Sequence, residues 1–197
     1  MRTFDLNNSE KIIFSIDDIS KLLSINKESA KVTANRYVQS KQLIRLKRNF
    51  YITPTKFERL GEEEYFKIAN MLQVPSYISL TTALSYYNIS TQQMQGIIES
   101  VALKRTKNVN VENMEFRFLL IKKVLYSDFT LEKHFFIAAP EKALVDAVYL
   151  SSLGRYNCDF DAIEFKKINK DKVNQIINLT NNKTKLFWNN LCKRYKI

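Results

Sequence analysis

Three glycines (Gly61, Gly96, Gly154) and three prolines (Pro54, Pro75, Pro140) in 197 residues constrain this chain more than any other feature. Architectures that turn on glycine, such as collagen-like, low-complexity or Gly-rich β folds, are excluded, and helix is expected to dominate. Hydrophobic residues make up 45% of the chain and aromatics 12%, enough for a core of one large or two small domains.

The same scarcity removes enzyme classes. No glycine pair has phosphate-cradling spacing, so neither a P-loop nor a dinucleotide fingerprint can be written, and nucleotide binding would need another scheme. The single histidine, His134, leaves no room for a multi-histidine metal site, and any His-dependent nucleophilic catalysis would have to run through it. It is read as structural. Cys158 and Cys192 have no CxxC partner and read as reduced thiols in a cytoplasmic protein. No metal, cofactor or catalytic residue is expected. Residues 1–10 lack the apolar run of a signal peptide. Residues 68–98 carry no charge, but Pro75, Asn88 and Ser90 to Gln93 interrupt them, so they read as buried core and no membrane partner is expected.

Charge is unevenly spread. Residues 1–56 carry +6, residues 57–165 carry −3, and residues 166–197 carry +8, within a net charge of +11. Clustered Lys and Arg release counterions on a polyanion, so the two ends are expected to meet nucleic acid. A Lys- and Asn-rich genome would give a similar excess without function.

Ser15 reads as the N-cap of a short helix over 16–23, with Asp17 and Asp18 in its first turn. Asn26 caps a second helix to about Ser40, whose inward stripe is Ala30, Ala34, Tyr37 and Val38. Leu43 to Thr53 reads as a hairpin with a basic tip, Asn49 supplying the left-handed turn residue. Helix, turn, helix and hairpin in that order outline a winged helix-turn-helix over residues 1–56. Residues 57–197 read as a second α+β domain: helices at 62–73, at 80–87 capped by Ser79, and from Pro140; extended segments near 100–105, 115–121 and 134–138 forming a small antiparallel sheet; and a basic helical tail from about 166.

On the second helix, Lys27, Lys31, Asn35 and Arg36 lie on or beside the face opposite the apolar stripe, where Asn35 could read adenine while cations hold phosphates or read guanine. Glu28 on the same helix would repel phosphate unless it meets a cytosine edge. On the hairpin, Arg45, Lys47, Arg48 and Asn49 suit the backbone or the minor groove, although Lys on an exposed strand also protects a sheet edge. Tyr77, Tyr86 and Tyr87 read as core aromatics.

Three stretches together resemble the AbiEi-type antitoxins of bacterial type IV toxin–antitoxin and phage-defence pairs: RYVQSKQLIRLKRNFYIT (36–53), PSYISLTTALSYYNI (75–89) and AAPEKALVDAVYL (138–150). The resemblance implies an N-terminal winged domain binding repeats in its own promoter, and a C-terminal domain needed for antitoxicity. Its implied functional partner is a nucleotidyltransferase-like toxin with which no stable complex forms. It also points to Glu141, Lys142 and Asp146 as polar positions with a role in antitoxicity; from the sequence alone they read as helix-dipole and surface charges that need no function. Gln42 and Asn49 stand where the family usually has glycine. Two alternatives stay open: an enzyme that modifies its toxin, for example by phosphotransfer, and a plain winged-helix regulator or protein-interaction module.

Overall fold

The computed structural model describes residues 3–197, with side chains from Leu6 onward. The chain is α+β and folds as two units, the first ending at Ile68 and the second spanning Ala69–Ile197.

The first unit runs α1 (Thr3–Asn8), α2 (Ile16–Leu22), α3 (Lys27–Gln39), the hairpin β1 (Ile44–Lys47) and β2 (Phe50–Ile52), the single turn α4 (Pro54–Phe57), and the start of α5 (Glu62–Leu72), which carries the chain into the second unit. A capping box starts α2: the Ser15 hydroxyl accepts from Asp18 N–H at 3.2 Å, and the Asp18 carboxylate accepts from Ser15 N–H at 2.7 Å. Partial burial works to raise the Asp18 carboxyl, but hydrogen bonds from Lys11 and Ser15 outweigh it and hold the group at about 2. Asn26 caps α3 through Ser29 N–H at 2.8 Å.

The helix ends show how a chain with little glycine turns. After α2, Ser24 takes φ 52°; its N–H donates to Lys21 C=O, and Ile25 N–H donates to Ser20 C=O, the pair of bonds that define a Schellman end. Lys41 (φ 57°) closes α3 in the same way, so the left-handed residue before β1 is Lys41 and not Gln42. Asn49 turns the hairpin at φ 68°, as its residue type predicts. A Cβ in this region costs about 1–2 kcal/mol. Replacing exposed Ser24 or Lys41 by glycine is therefore expected to raise stability by about 0.5–1 kcal/mol after allowing for the looser unfolded chain, read as a higher urea midpoint. A lower midpoint would mean that contacts of the removed side chain outweigh backbone strain.

Leu6, Phe14, Ile16, Ile19, Leu23, Ala30, Ala34, Leu43 and Tyr51 form the core of this unit, with Tyr37 and Val38 packed beside them. Ala30 and Ala34, both fully buried, are the small residues on the α3 face that packs on α2. Phe14 and Tyr51 exchange backbone hydrogen bonds of 2.7 and 2.8 Å, adding a third extended segment to the hairpin.

The second unit contains β3 (Ser76–Ile78), α6 (Leu80–Tyr86), β4 (Ile97–Ala102), β5 (Lys107–Val111), β6 (Met114–Leu120), β7 (Phe129–Glu132), β8 (Phe135–Ala138), α7 (Pro140–Ser152), α8 (Lys170–Ile177) and α9 (Asn182–Tyr195). Its sheet is larger than the small antiparallel one expected from the sequence, and it is mixed. Six strands lie in the order β5-β6-β4-β3-β8-β7, with β4/β6 and β3/β8 parallel and the other pairs antiparallel. Local hairpins supply the antiparallel edges, which alternation can suggest. The two parallel contacts join strands separated by other elements, and side-chain alternation says nothing about which strand lies beside which. Turns at Glu112 (φ 50°) and at Lys133 and His134 (φ 42° and 73°) close the hairpins without glycine, which is why a glycine-poor chain accommodates this sheet.

Pro140 opens α7 at its first turn, where a missing N–H costs no hydrogen bond. Residues 142–150 of α7 are all buried. The helix packs against α6, α8 and α9, so it presents no solvated face along that stretch.

Candidate nucleic-acid interface and the buried charge cluster

In the first unit, Asn49 side-chain oxygen accepts from Ile16 N–H at 3.1 Å, placing the hairpin tip at the start of α2. Lys27, at the start of α3, pairs with Asp17 at 2.8 Å, so the N-terminus of α3 also lies beside the start of α2. Hairpin tip and leading end of α3 therefore share one end of the unit. Lys27, Lys31, Asn35, Arg36, Arg45, Arg48 and Asn49 are all exposed. Their charges are not equally available: Lys31 pairs with Glu28 at 2.7 Å and Lys27 with Asp17, whereas among the described residues no carboxylate pairs with Arg36, Arg45 or Arg48. Lys47 is half-buried, with its ammonium 5.0 Å from the Phe50 ring centre, and burial pushes its pKa down. Arg48 and Asn49 form the tip itself; Lys47 is the last residue of β1.

In the second unit, Lys142 and Asp146 are fully buried and form an i,i+4 ion pair on α7. They are not the surface charges that the residue types suggest. Asp146 Oδ2 accepts from the Tyr77 hydroxyl at 3.0 Å and the Ser79 hydroxyl at 2.8 Å, so the buried carboxylate is hydrogen-bonded as well as ion-paired. The Lys142 ammonium also lies 5.7 Å from the Tyr77 ring centre. Burial, then the charge of Asp146, pushes the Tyr77 phenol well above its usual range and keeps it a donor. Ser79 precedes α6 but does not cap it, because its hydroxyl is turned to Asp146. Glu141, only partly buried, accepts from Asn169 N–H at 3.3 Å. Tyr77 is fully buried and stacks on Phe129 at 4.6 Å, while Tyr86 and Tyr87 are half-buried, Tyr87 donating to Glu132 at 2.9 Å.

A second polar group lies beside β4. Glu99 is 1% exposed and accepts from the Tyr156 hydroxyl at 2.8 Å, which also bonds Thr81 at 2.7 Å. Sequence reasoning passed over these residues. The available signal was a lone carboxylate in the otherwise uncharged strand sequence IIESVA. Cys158 is a free thiol that burial, then the charge of Glu99, pushes up to about 12, and Cys192 is likewise unbridged. His134 sits exposed in the β7–β8 turn, not in a strand. Among the described residues no His, Cys, Asp and Glu cluster could hold a metal ion, and no helix is long and apolar enough to cross a membrane.

No family model matches the chain, and no curated protein matches it significantly.

Proposed function

We propose that the chain is a DNA-binding antitoxin of the AbiEi type that represses its own operon from the cytoplasm and counteracts a nucleotidyltransferase-like toxin without forming a stable complex with it. The observation that carries the DNA reading is the shared end of the first unit, where the leading end of α3 and the hairpin tip flank the start of α2. A winged helix-turn-helix presents its recognition helix and wing together in this way. At that end the unpaired Arg48 supplies a phosphate contact; Arg45 on β1 and Arg36 in the last turn of α3 add positive charge farther from it, and exposed Asn35 supplies a side chain able to pair bidentately with adenine. The antitoxin part of the reading rests on the likeness of residues 75–89 and 138–150 to that family.

Fluorescence anisotropy on the chain's own upstream DNA and on a shuffled duplex of equal length, across a salt series, tests the proposal. Selective, salt-steep binding is expected, and equal weak binding to both duplexes would refute it. Arg48→Ala should weaken both duplexes alike and flatten the log–log salt slope by about 0.9, the value of one lost phosphate contact. Asn35→Ala should instead narrow the gap between them by about 1–3 kcal/mol. Uniform loss in Asn35→Ala would assign that residue to the backbone.

A further inference from the structure

The second unit holds a cleft of about 350 Å³, the size of a small-molecule site, lined by Glu99, Arg117, Arg155, Tyr156, Met94 and Leu119 among others. Its lining is mixed: apolar Met94 and Leu119 stand beside the charged or polar Glu99, Arg117, Arg155 and Tyr156. Its floor is the buried Glu99 carboxyl, whose pKa burial pushes up, with the Tyr156 hydroxyl bound to it. Burying a carboxyl in the middle of a sheet costs more than burying an apolar side chain of the same volume, so packing alone gives no reason for it. Arg117 is the register neighbour of Glu99 on the adjacent parallel strand. Arg117 is ion-paired with Glu115 at 2.7 Å through one terminal nitrogen, so its charge is partly compensated while its remaining N–H groups can still donate to a ligand. Arg155, exposed at the mouth, touches Thr106 only at 3.5 Å, the limit of a hydrogen bond.

An exposed guanidinium (Arg155), a partly exposed one (Arg117), a buried carboxyl bound to a phenol (Glu99 with Tyr156) and apolar Met94 and Leu119 line the same cleft. Guanidinium forks suit phosphate oxygens, and a buried carboxyl suits hydroxyl or amino donors. We infer that this cleft binds a phosphate ester of nucleotide size, its phosphate on Arg117 and Arg155 and its hydroxyl or amino group on Glu99. The chain has no glycine-rich phosphate loop, and side-chain guanidiniums do that work here. This inference stands on the second unit and does not depend on the DNA reading.

Isothermal titration of the full chain with the four nucleoside monophosphates, ribose 5-phosphate and inorganic phosphate tests it, with the Met94 methyl resonance locating the site. At least one nucleoside monophosphate is expected to bind with Kd below about 1 mM, tighter than inorganic phosphate, and to shift Met94. Should ribose 5-phosphate bind as tightly, the ligand is a sugar phosphate and the base plays no part. Arg155→Ala, an exposed change that leaves folding intact, should weaken binding about tenfold, whereas Arg45→Ala in the first unit should leave it unchanged. Glu99→Gln, which preserves volume, should weaken the nucleotide or sugar phosphate but not inorganic phosphate. The inference fails if no phosphate ester binds at several times that concentration. It also fails if Arg155→Ala changes nothing, if Arg45→Ala weakens binding as much as Arg155→Ala, or if Glu99→Gln weakens all ligands equally.

Discussion

Asp146→Ala is expected to destabilise the second unit by about 3–5 kcal/mol, because it leaves a fully buried ammonium without its counter-charge. At a urea dependence of about 2 kcal/mol/M, that lowers the midpoint by roughly 1.5–2.5 M. The loss extends beyond one ion pair, since the Tyr77 and Ser79 hydroxyls lose their acceptor as well. The double variant Lys142→Met/Asp146→Asn separates charge from packing: it removes both buried charges while an amide oxygen still accepts from the two hydroxyls. It should recover most of the lost stability, since an intact buried pair contributes little net. If the double variant is as unstable as the single one, the pair stabilises through geometry that methionine and asparagine cannot reproduce. The same pair of variants bears on the proposed antitoxicity. If Lys142 and Asp146 act through the fold, antitoxicity lost in Asp146→Ala returns in the stable double variant, whereas partly exposed Glu141 can be changed to alanine with little effect on stability.

Trp188→Ala is expected to cost a further large amount, about 3–5 kcal/mol, measured by the same denaturation. Trp188 is 2% exposed and donates through Nε1 to Asn174 at 2.9 Å, joining α9 to α8. Nearby, Thr184 of α9 bonds Ser152 of α7 at 2.8 Å. The basic tail is thus part of the core of its unit, and its charges lie outward: Lys183 and Lys193 are exposed. Changing these two lysines to glutamine should leave the denaturation midpoint in place. A flatter salt dependence of nucleic-acid binding in that variant would assign the tail a polyanion contact, and an unchanged slope would leave it a packing element. A small stability loss in Trp188→Ala would mean that α9 is peripheral.

Helix positions were legible because their determinants are local. The Ser15 capping box, the Asn26 cap, Pro140 at a first turn and the apolar spacing over 16–23 and 62–73 each act within a few residues, and the elements formed within a residue or two of those limits. The left-handed turn at Asn49 followed from residue type for the same reason. The exposed cations of α3 and of the hairpin could be named, but not which of them a neighbouring carboxylate neutralises. Asp17 reaches Lys27 only because α2 and α3 pack.

Side-chain chemistry told apart what a residue can do, and tertiary structure decided what it does. The sequence PEKALVD reads as a helix start with surface charge, and only the packing of α6, α8 and α9 around α7 turns Lys142 and Asp146 inward. Strand direction, the parallel pairing of β4 with β6 that sets Arg117 beside Glu99, and the cleft above them depend on contacts between distant segments. Local propensity and periodicity carry the energy of single elements. The desolvation of a charge and the choice of a strand's neighbour are set by which remote surfaces meet, and no window of sequence contains that information.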